Sequence, residues 1–467
     1  MFSPLLKNEP MLKMLSKNGN VLAKRYFNKF HKKPLEGVIL NSSFNKDSTT
    51  VSFIAHENNR SSTDKPYTVC FNNIFLRDSS RSPGSVDVGS GQKLFTTGEL
   101  ATDSIHTTPE LVEITSDGKF LTIKWKDGDV YDYPLEFLYK YKGSTFVTRS
   151  LRNRHTSHRP TLWDTMIFND HLKTFAMDYD EFLHDDKRFY DALINLQKIG
   201  MVMIKNLPKI DKSVDPLRLL CNRIGPVRST IYGEIFEVNN LKPNDSNITF
   251  SNKKLPFHQD LTYLENIPGF QLLHVVKNET DGGENLYVDA FNSTRHIRET
   301  DIEAYEALNI VPINYQYKKD DKRYYQSKPL IEQYDSNEHN VEIGNYEYLI
   351  KTINYSPPYQ APLTYGIYNK APNREVSTAP GKVIERFLFR DFIRGLKLFE
   401  QSINNPVNQI EISMPEDTCI IFNNRRILHA RNEIISKPNS QRLFRGCFIS
   451  NDHFMSKLTY FEEKFGS

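Results

Sequence analysis

The sequence predicts a mainly β protein with helices, of the α+β class, in two domains. Three observations carry this. The chain has 467 residues, more than one hydrophobic core usually serves. Phe and Tyr number 30 and 24, which supplies material for β-rich cores. Short runs of β-branched and aromatic residues bounded by turn clusters recur along most of the chain, with helical spacing confined to a few stretches.

Composition narrows the class further. Hydrophobic residues make up 38% and charged residues 25%, an ordinary soluble balance. No apolar run reaches the length of a membrane span, so none is expected. A net charge of +3 is too small to argue for nucleic acid as a partner. The four cysteines, Cys70, Cys221, Cys419 and Cys447, are far apart and form no CxxC pair, which fits a reducing compartment and excludes a cysteine-only metal site.

The elements follow in order. Residues 1–35 are basic: Lys7, Lys13, Lys17, Lys24, Arg25, Lys29, Lys32 and Lys33 stand against the single acid Glu9, with leucines interspersed. Such a segment is similar to a mitochondrial presequence, and mitochondrial localisation is expected; the alternative is a basic tail on a cytoplasmic protein. Residues 36–147 read as a small β-rich domain, from Gly37-Val-Ile-Leu, Thr50-Val-Ser-Phe-Ile, Tyr67-Thr-Val-Cys-Phe and Phe120-Leu-Thr-Ile-Lys-Trp, with turns at Asp117-Gly118 and Asp127-Gly128. Residues 148–162 are basic without apolar period and read as a linker, a phosphate-binding patch being the sharper alternative. In the domain 163–467, Tyr179 to Ile199 has helical spacing and stops at Gly200. Strands at Met201, Phe270, Leu286 and Thr418 follow, and a helix over about 380 to 404 is expected to pack its apolar side on a sheet.

A candidate metal centre lies among these strands. Open-site iron oxygenases use two His and one carboxylate on one face of the metal. Residues i and i+2 of a strand share a face, so His-x-Asp on a strand delivers two of the three. His184-Asp185-Asp186 falls in the helical stretch, where i and i+2 diverge, and is discarded. His258-Gln259-Asp260 lies in a β-like run at the edge of a loop, and His429, after a buried strand running into a turn, is the candidate third ligand. Taken alone, His-x-Asp is a weak signal. A dicarboxylate cosubstrate calls for a cation, and Arg suits carboxylate best. Arg442 is the candidate; Arg445 competes, on the opposite strand face.

The surrounding motifs sharpen this. Phe257-His-Gln-Asp-Leu-Thr-Tyr, Pro268-Gly-Phe-Gln-Leu-Leu-His, Gly282-Gly-Glu, Val288-Asp-Ala-Phe and Phe422-Asn-Asn-Arg-Arg-Ile-Leu-His-Ala-Arg resemble the γ-butyrobetaine and trimethyllysine dioxygenases of carnitine biosynthesis, in a fungal mitochondrial branch. The likeness runs from about 67 to 460. It implies a distorted double-stranded β-helix (jelly-roll) catalytic domain behind the small N-terminal one. It also implies Fe(II) at His258, Asp260 and His429, 2-oxoglutarate on Arg442, and consumption of O2 with hydroxylation of a small-molecule substrate. The substrate cage falls on Tyr232, Phe236, Phe250 and Phe448, with Asn247 as a polar contact, and a homodimer is implied by the likeness alone.

Two departures stand out. Members of that family carry zinc on Cys-x-Cys-x-x-Cys and a later His. Here Ser80, Ser82, Ser85 and Asp129 stand at those positions, so no zinc is expected and the loop 79–98 is expected to be loosely held. Ser356 stands where an Asn would bind the substrate carboxylate. The leading expectation is therefore an oxidoreductase, a dioxygenase acting on a γ-butyrobetaine-like quaternary-ammonium acid. The alternatives are a trimethyllysine hydroxylase and a non-catalytic mitochondrial descendant.

Overall fold

The computed structural model describes residues 35–56, 65–143, 158–210, 215–240, 252–334, 350–367, 380–412, 414–435 and 440–465. The chain divides into two compact units between Leu151 and Arg152.

The first unit holds two three-stranded antiparallel sheets. One is β1 (Glu36–Phe44), β2 (Ser48–His56) and β3 (Tyr67–Asn72); the other is β4 (Pro109–Ile114), β5 (Phe120–Trp125) and β6 (Val130–Pro134). The period-2 pattern decides which side of each strand is buried: Val51, Phe53 and Ala55 of β2, and Leu121, Ile123 and Trp125 of β5. These join Tyr131, Tyr133 and the helix Leu135–Lys140 in one core. Each large apolar side chain buried there contributes about 1.5–3 kcal/mol. The segment after Asp78 differs from expectation. Ser80, Ser82 and Ser85 are buried and hydrogen-bonded to Asp129, in the turn between β5 and β6, so it is tied rather than loose.

The second unit contains a six-stranded and a four-stranded sheet. The larger has the order β7 (Ala176–Asp178), β8 (Met201–Lys205), β19 (Thr418–Asn423), β11 (Phe270–Asn278), β22 (Arg442–Ile449), β9 (Ile235–Asn239). The smaller runs β10 (Leu255–His258), β20 (Ile427–Arg431), β13 (Asn285–Asp289), β18 (Gln409–Ile412). All pairs are antiparallel except β7 with β8. Three short pairs accompany them: β12 (Asp281–Gly282) with β21 (Ile434–Ile435), β14 (Pro312–Lys319) with β15 (Lys322–Pro329), and β16 (Ile331–Gln333) with β17 (Ile350–Ile353).

Alternation gives the large sheet two faces. Phe270, Leu272, Cys419, Ile421, Cys447 and Ile449 pack under the helices Asp186–Lys198, Pro216–Ile224 and Asn451–Phe465. Met201, Val275, Ile420, Phe422 and Phe444 meet Tyr287, Ile410, Ile412 and Ile427 of the small sheet. The two sheets thus face each other across a shared core. Arg426 and Asp289, both buried, pair inside it: Arg426 Nε donates to Asp289 Oδ1 at 3.0 Å, and Nη2 donates to Oδ2 at 2.6 Å and to the Thr161 carbonyl at 2.6 Å. Thr161, read as linker, is thereby tied to this unit.

Two helical expectations need correction. Tyr179 to Ile199 is two helices, Tyr179–His184 and Asp186–Lys198. Asp185 leaves helical φ/ψ and caps the second, accepting from Lys187 and Arg188 N–H. The helix Pro380–Ile403 buries Phe392 and Phe399, leaves Phe387 and Ile393 exposed, and packs on the helices Ala290–Thr300 and Ile302–Ile310 rather than on a sheet.

Candidate active site

His258 is the last residue of β10 and pairs directly across to His429 in the middle of β20. Their rings lie 4.2 Å apart. Asp260 lies past the end of β10, not on it, before Leu261 with a left-handed φ of 62°. The turn, not strand alternation, aims this carboxylate. Asn424 fixes the turn: its Oδ1 accepts from the Asp260 N–H at 3.2 Å and its Nδ2 donates to the Asp260 carbonyl at 3.2 Å. His258 Nε2 is then 3.4 Å from Asp260 Oδ1, and His429 Nε2 is 3.9 Å from Oδ2.

These three residues fit a metal ion. One donor atom from each lies within 4.8 Å of the others, and a first-row ion with bonds of about 2.1 Å reaches across such a set. His258 Nδ1 donates to the Pro256 carbonyl at 2.9 Å, which selects the tautomer with a free lone pair on Nε2. Burial pushes the His429 pKa down to about 3, aided by His258, so the imidazole is neutral. Burial alone would raise the Asp260 pKa; the neighbouring His258 and His429, with the Gln271 hydrogen bond, outweigh it and bring it to about 2. His429 and Asp260 are thus in their ligand forms at neutral pH.

Arg442 opens β22 on the face turned to the small sheet, since it shares parity with Phe444 and Phe448. It is buried, with Nη1 donating to the Gly283 carbonyl at 2.9 Å and its guanidinium 4.2 Å from the Phe444 ring centre. Glycine suits position 283: its φ is +69°, and a Cβ there would lie 2.5 Å from Arg442 Nη1 and push the guanidinium aside. Burial lowers the Arg442 pKa to about 10, with Arg431 adding to it, so it remains cationic. It makes no ion pair among the described residues. Arg445 faces the other way and is committed to Asp215 by two hydrogen bonds of 3.1 and 2.8 Å.

Of the expected cage, Tyr232, Phe236 and Phe448 come together. Tyr232 and Phe236 ring centres are 6.3 Å apart, and Phe236 stacks on Phe448 at 5.6 Å. Gly446 makes this possible, because a Cβ there would meet the Phe236 ring at 2.2 Å. Phe448 of β22 is the register partner of Gln271 in β11, whose side chain reaches Asp260. Asn247 and Phe250 lie outside the described residues. Ser356 is buried, adjoining Tyr355, whose carbonyl accepts from the Gln259 N–H at 2.8 Å.

Sequence reasoning missed several partners. Gln271 Nε2 donates to Asp260 Oδ2 at 2.7 Å. Tyr263, Tyr317 and Tyr359 extend the wall, with the Tyr232 hydroxyl 3.3 Å from that of Tyr263 and 3.4 Å from that of Tyr359. Burial pushes the Tyr232 and Tyr263 hydroxyls far above their ordinary range, so the wall carries no phenolate. Gln271 and Asn424 both sit inside motifs that carried the resemblance, which was the available signal.

Comparison with known proteins agrees with this geometry. Residues 169–448 match the model for "Taurine catabolism dioxygenase TauD, TfdA family". The chain is 47% identical over 445 residues to the Probable oxidoreductase AIM17 of Saccharomyces cerevisiae, covering 92% of each. It is 23% identical to the mitochondrial trimethyllysine dioxygenase of Gallus gallus, over 83% of this chain and 82% of that one. It is also 23% identical to the γ-butyrobetaine dioxygenase of a Pseudomonas species, over 83% and 89%. With its His-Asp-His triad in place, the chain belongs to the TauD, TfdA family of Fe(II)/2-oxoglutarate-type dioxygenases and is an oxidoreductase.

Proposed function

We propose that this protein hydroxylates a C–H bond of a quaternary-ammonium acid resembling γ-butyrobetaine, with His258, Asp260 and His429 holding Fe(II) and Arg442 holding 2-oxoglutarate. The reading is supported by a ligand-ready triad and, in the same unit, a buried arginine without a carboxylate partner among the described residues and an uncharged aromatic wall. Fe(II) bound there supplies the chemistry with O2 that decarboxylates 2-oxoglutarate to succinate and CO2 and hydroxylates the substrate. The protein's part is positional. Gln271 orients Asp260, His258 is held by the Pro256 carbonyl, and Arg442 takes the distal carboxylate of the cosubstrate. Tyr232, Phe236 and Phe448, with Phe250, hold a trimethylammonium group by cation–π attraction of about 2 kcal/mol when desolvated, and Asn247 adds a polar contact.

The two facing sheets are read as a distorted double-stranded β-helix spanning 163–467, behind the 36–147 domain. The trimethyllysine relatives, one of them from Gallus gallus, bear "mitochondrial" in their names, which supports that location for this chain. They also favour trimethyllysine as the second substrate reading. Among the described residues no helix is long and apolar enough to cross a membrane. The test is an anaerobic titration with Fe(II) and 2-oxoglutarate, followed through the weak visible charge-transfer band. O2 is then added with γ-butyrobetaine or trimethyllysine, and succinate is counted. Substrate-coupled succinate is expected with one of the two; absence of the band would overturn the reading.

A further inference from the structure

The zinc implied by the family resemblance does not fit the first unit, and what stands there has its own design. Ser80, Ser82 and Ser85 are buried at 0%, 4% and 0% exposure around the Asp129 side chain at 5%. Ser80 Oγ donates to Asp129 Oδ2 at 2.7 Å; Ser82 Oγ donates to Oδ1, and Ser85 Oγ to Oδ1 at 3.2 Å. Arg77 closes the cluster. Its Nη1 donates to Ser85 Oγ at 2.8 Å and lies 3.6 Å from Asp129 Oδ2, while Nε and Nη2 both reach Asp127 Oδ2 at 3.0 Å. His106 meets Asp127 at the rim, 3.2 Å away.

The donor set argues against a metal. Neutral hydroxyls are poor zinc ligands, and here their protons already point at one carboxylate. The Arg77 guanidinium beside that carboxylate would repel a divalent cation. Among the described residues, the grouping of His, Cys, Asp and Glu close enough to hold an ion is the His258 triad, not this one.

We propose that Asp129 is the centre of a metal-free polar hub with inverted polarity. Where an ion would draw lone pairs from surrounding ligands, the carboxylate draws protons from the three serines and charge from Arg77. The hub ties segment 79–86 to the β5–β6 turn, so the first unit folds independently of metal. Asp129 is its keystone, because without it three buried hydroxyls lose their main acceptor, while Arg77 keeps Asp127 and loses only its second carboxylate.

The chain offers a direct probe, because its two tryptophans, Trp125 and Trp163, fall one in each unit. In full-length Trp163→Phe protein, Trp125 fluorescence follows the first unit alone. Its thermal transition is expected to be unmoved by EDTA or by added zinc. Asp129→Ala should lower it by about 5–10 °C, and Asp129→Asn by less. Should Asp129→Ala fail to fold, Ser82→Ala decides, with a loss of a few degrees expected. Ser80→Cys, Ser82→Cys, Ser85→Cys and Asp129→His combined should make the transition zinc-dependent. A transition lowered by chelator in the unmutated hub, an unshifted transition in Asp129→Ala or Ser82→Ala, or a fourfold variant blind to zinc would each overturn the proposal.

Discussion

Gly283→Ala separates cosubstrate binding from folding, because the residue's two constraints have different readouts. The backbone there is left-handed at φ +69°, which costs an alanine about 1–2 kcal/mol of stability. Its Cβ would also sit 2.5 Å from Arg442 Nη1 and 2.9 Å from Ile434 Cγ1, so the guanidinium must move. Losing one charge-assisted contact to a carboxylate is worth about 1.5–3 kcal/mol. At 1.4 kcal/mol per decade, 2-oxoglutarate should bind about 10- to 100-fold more weakly. Gly282→Ala is the control. Its φ is +68° and its Cβ would meet the Glu433 backbone carbonyl at 2.5 Å, so it carries the same left-handed cost and a harder backbone clash without touching Arg442. Anaerobic titration of the Fe(II) charge-transfer band gives the affinity, and urea midpoints give the stability. Wild-type affinity in Gly283→Ala, or an equal loss in Gly282→Ala, would refute the role given to Arg442.

Three further outcomes follow from the second unit. Gln271→Leu removes the donor to Asp260 Oδ2 and is expected to weaken iron binding about 10- to 100-fold, measured by chelator competition, with the urea midpoint nearly unchanged. Asp289→Ala leaves the buried Arg426 without its partner and should cost about 3–5 kcal/mol in urea unfolding; a loss under about 1 kcal/mol would contradict this. His274 is buried on the helix-covered face of β11, across from Cys419 and Arg445, with Asp215, Asp417 and Lys209 as the other charges acting on it. Burial, with Arg445 second, holds its pKa at about 4, below the ordinary 6.5. The unfolded chain therefore takes up the proton first. The stability of the neutral state is intact above pH 6.5 and is lost as pH falls towards 4, by about 3 kcal/mol in all. His274→Leu should flatten that part of the pH–stability curve, and an unchanged slope would show that other groups set it.

What the sequence made legible was local. Alternation along 442–449 separates Arg442 from Arg445, and the structure has Arg445 bound to Asp215 while Arg442 faces the small sheet. The runs at Thr50, Phe120, Phe270 and Thr418 became strands because their apolar period matches a pleat with one or two buried faces. What stayed hidden depends on register between distant strands. Gln271 matters because β11 lies beside β22 and β19 and its side chain reaches Asp260; the motif around position 271 signals the family but not that contact. The placement of Asp260 off the strand follows from Asn424, 164 residues away. The break at Asp185 was local, but a helical period on both sides of a capping residue reads as one helix.

The two clusters also show why residue type alone does not distinguish a metal site from a polar hub. Asp260 and Asp129 are each surrounded by polar side chains from distant segments. Around Asp129 the serines are proton donors, and their donations are spent on the carboxylate, with Arg77 supplying the balancing charge. Around Asp260 the neighbours are imidazoles: burial keeps His429 neutral, and His258 has its N–H turned away to the Pro256 carbonyl. That leaves Nε2 of His258 and Asp260 Oδ1, 3.4 Å apart, as lone pairs aimed at common space, with His429 Nε2 3.9 Å from Asp260 Oδ2. Lone pairs crowded together repel and are stable only when a cation arrives, whereas protons aimed at a carboxylate need nothing more. The direction of the second nitrogen's hydrogen bond therefore decides between the two outcomes. A Pro256 carbonyl turned away from His258 Nδ1 would allow the other tautomer and put a proton where the metal bond belongs.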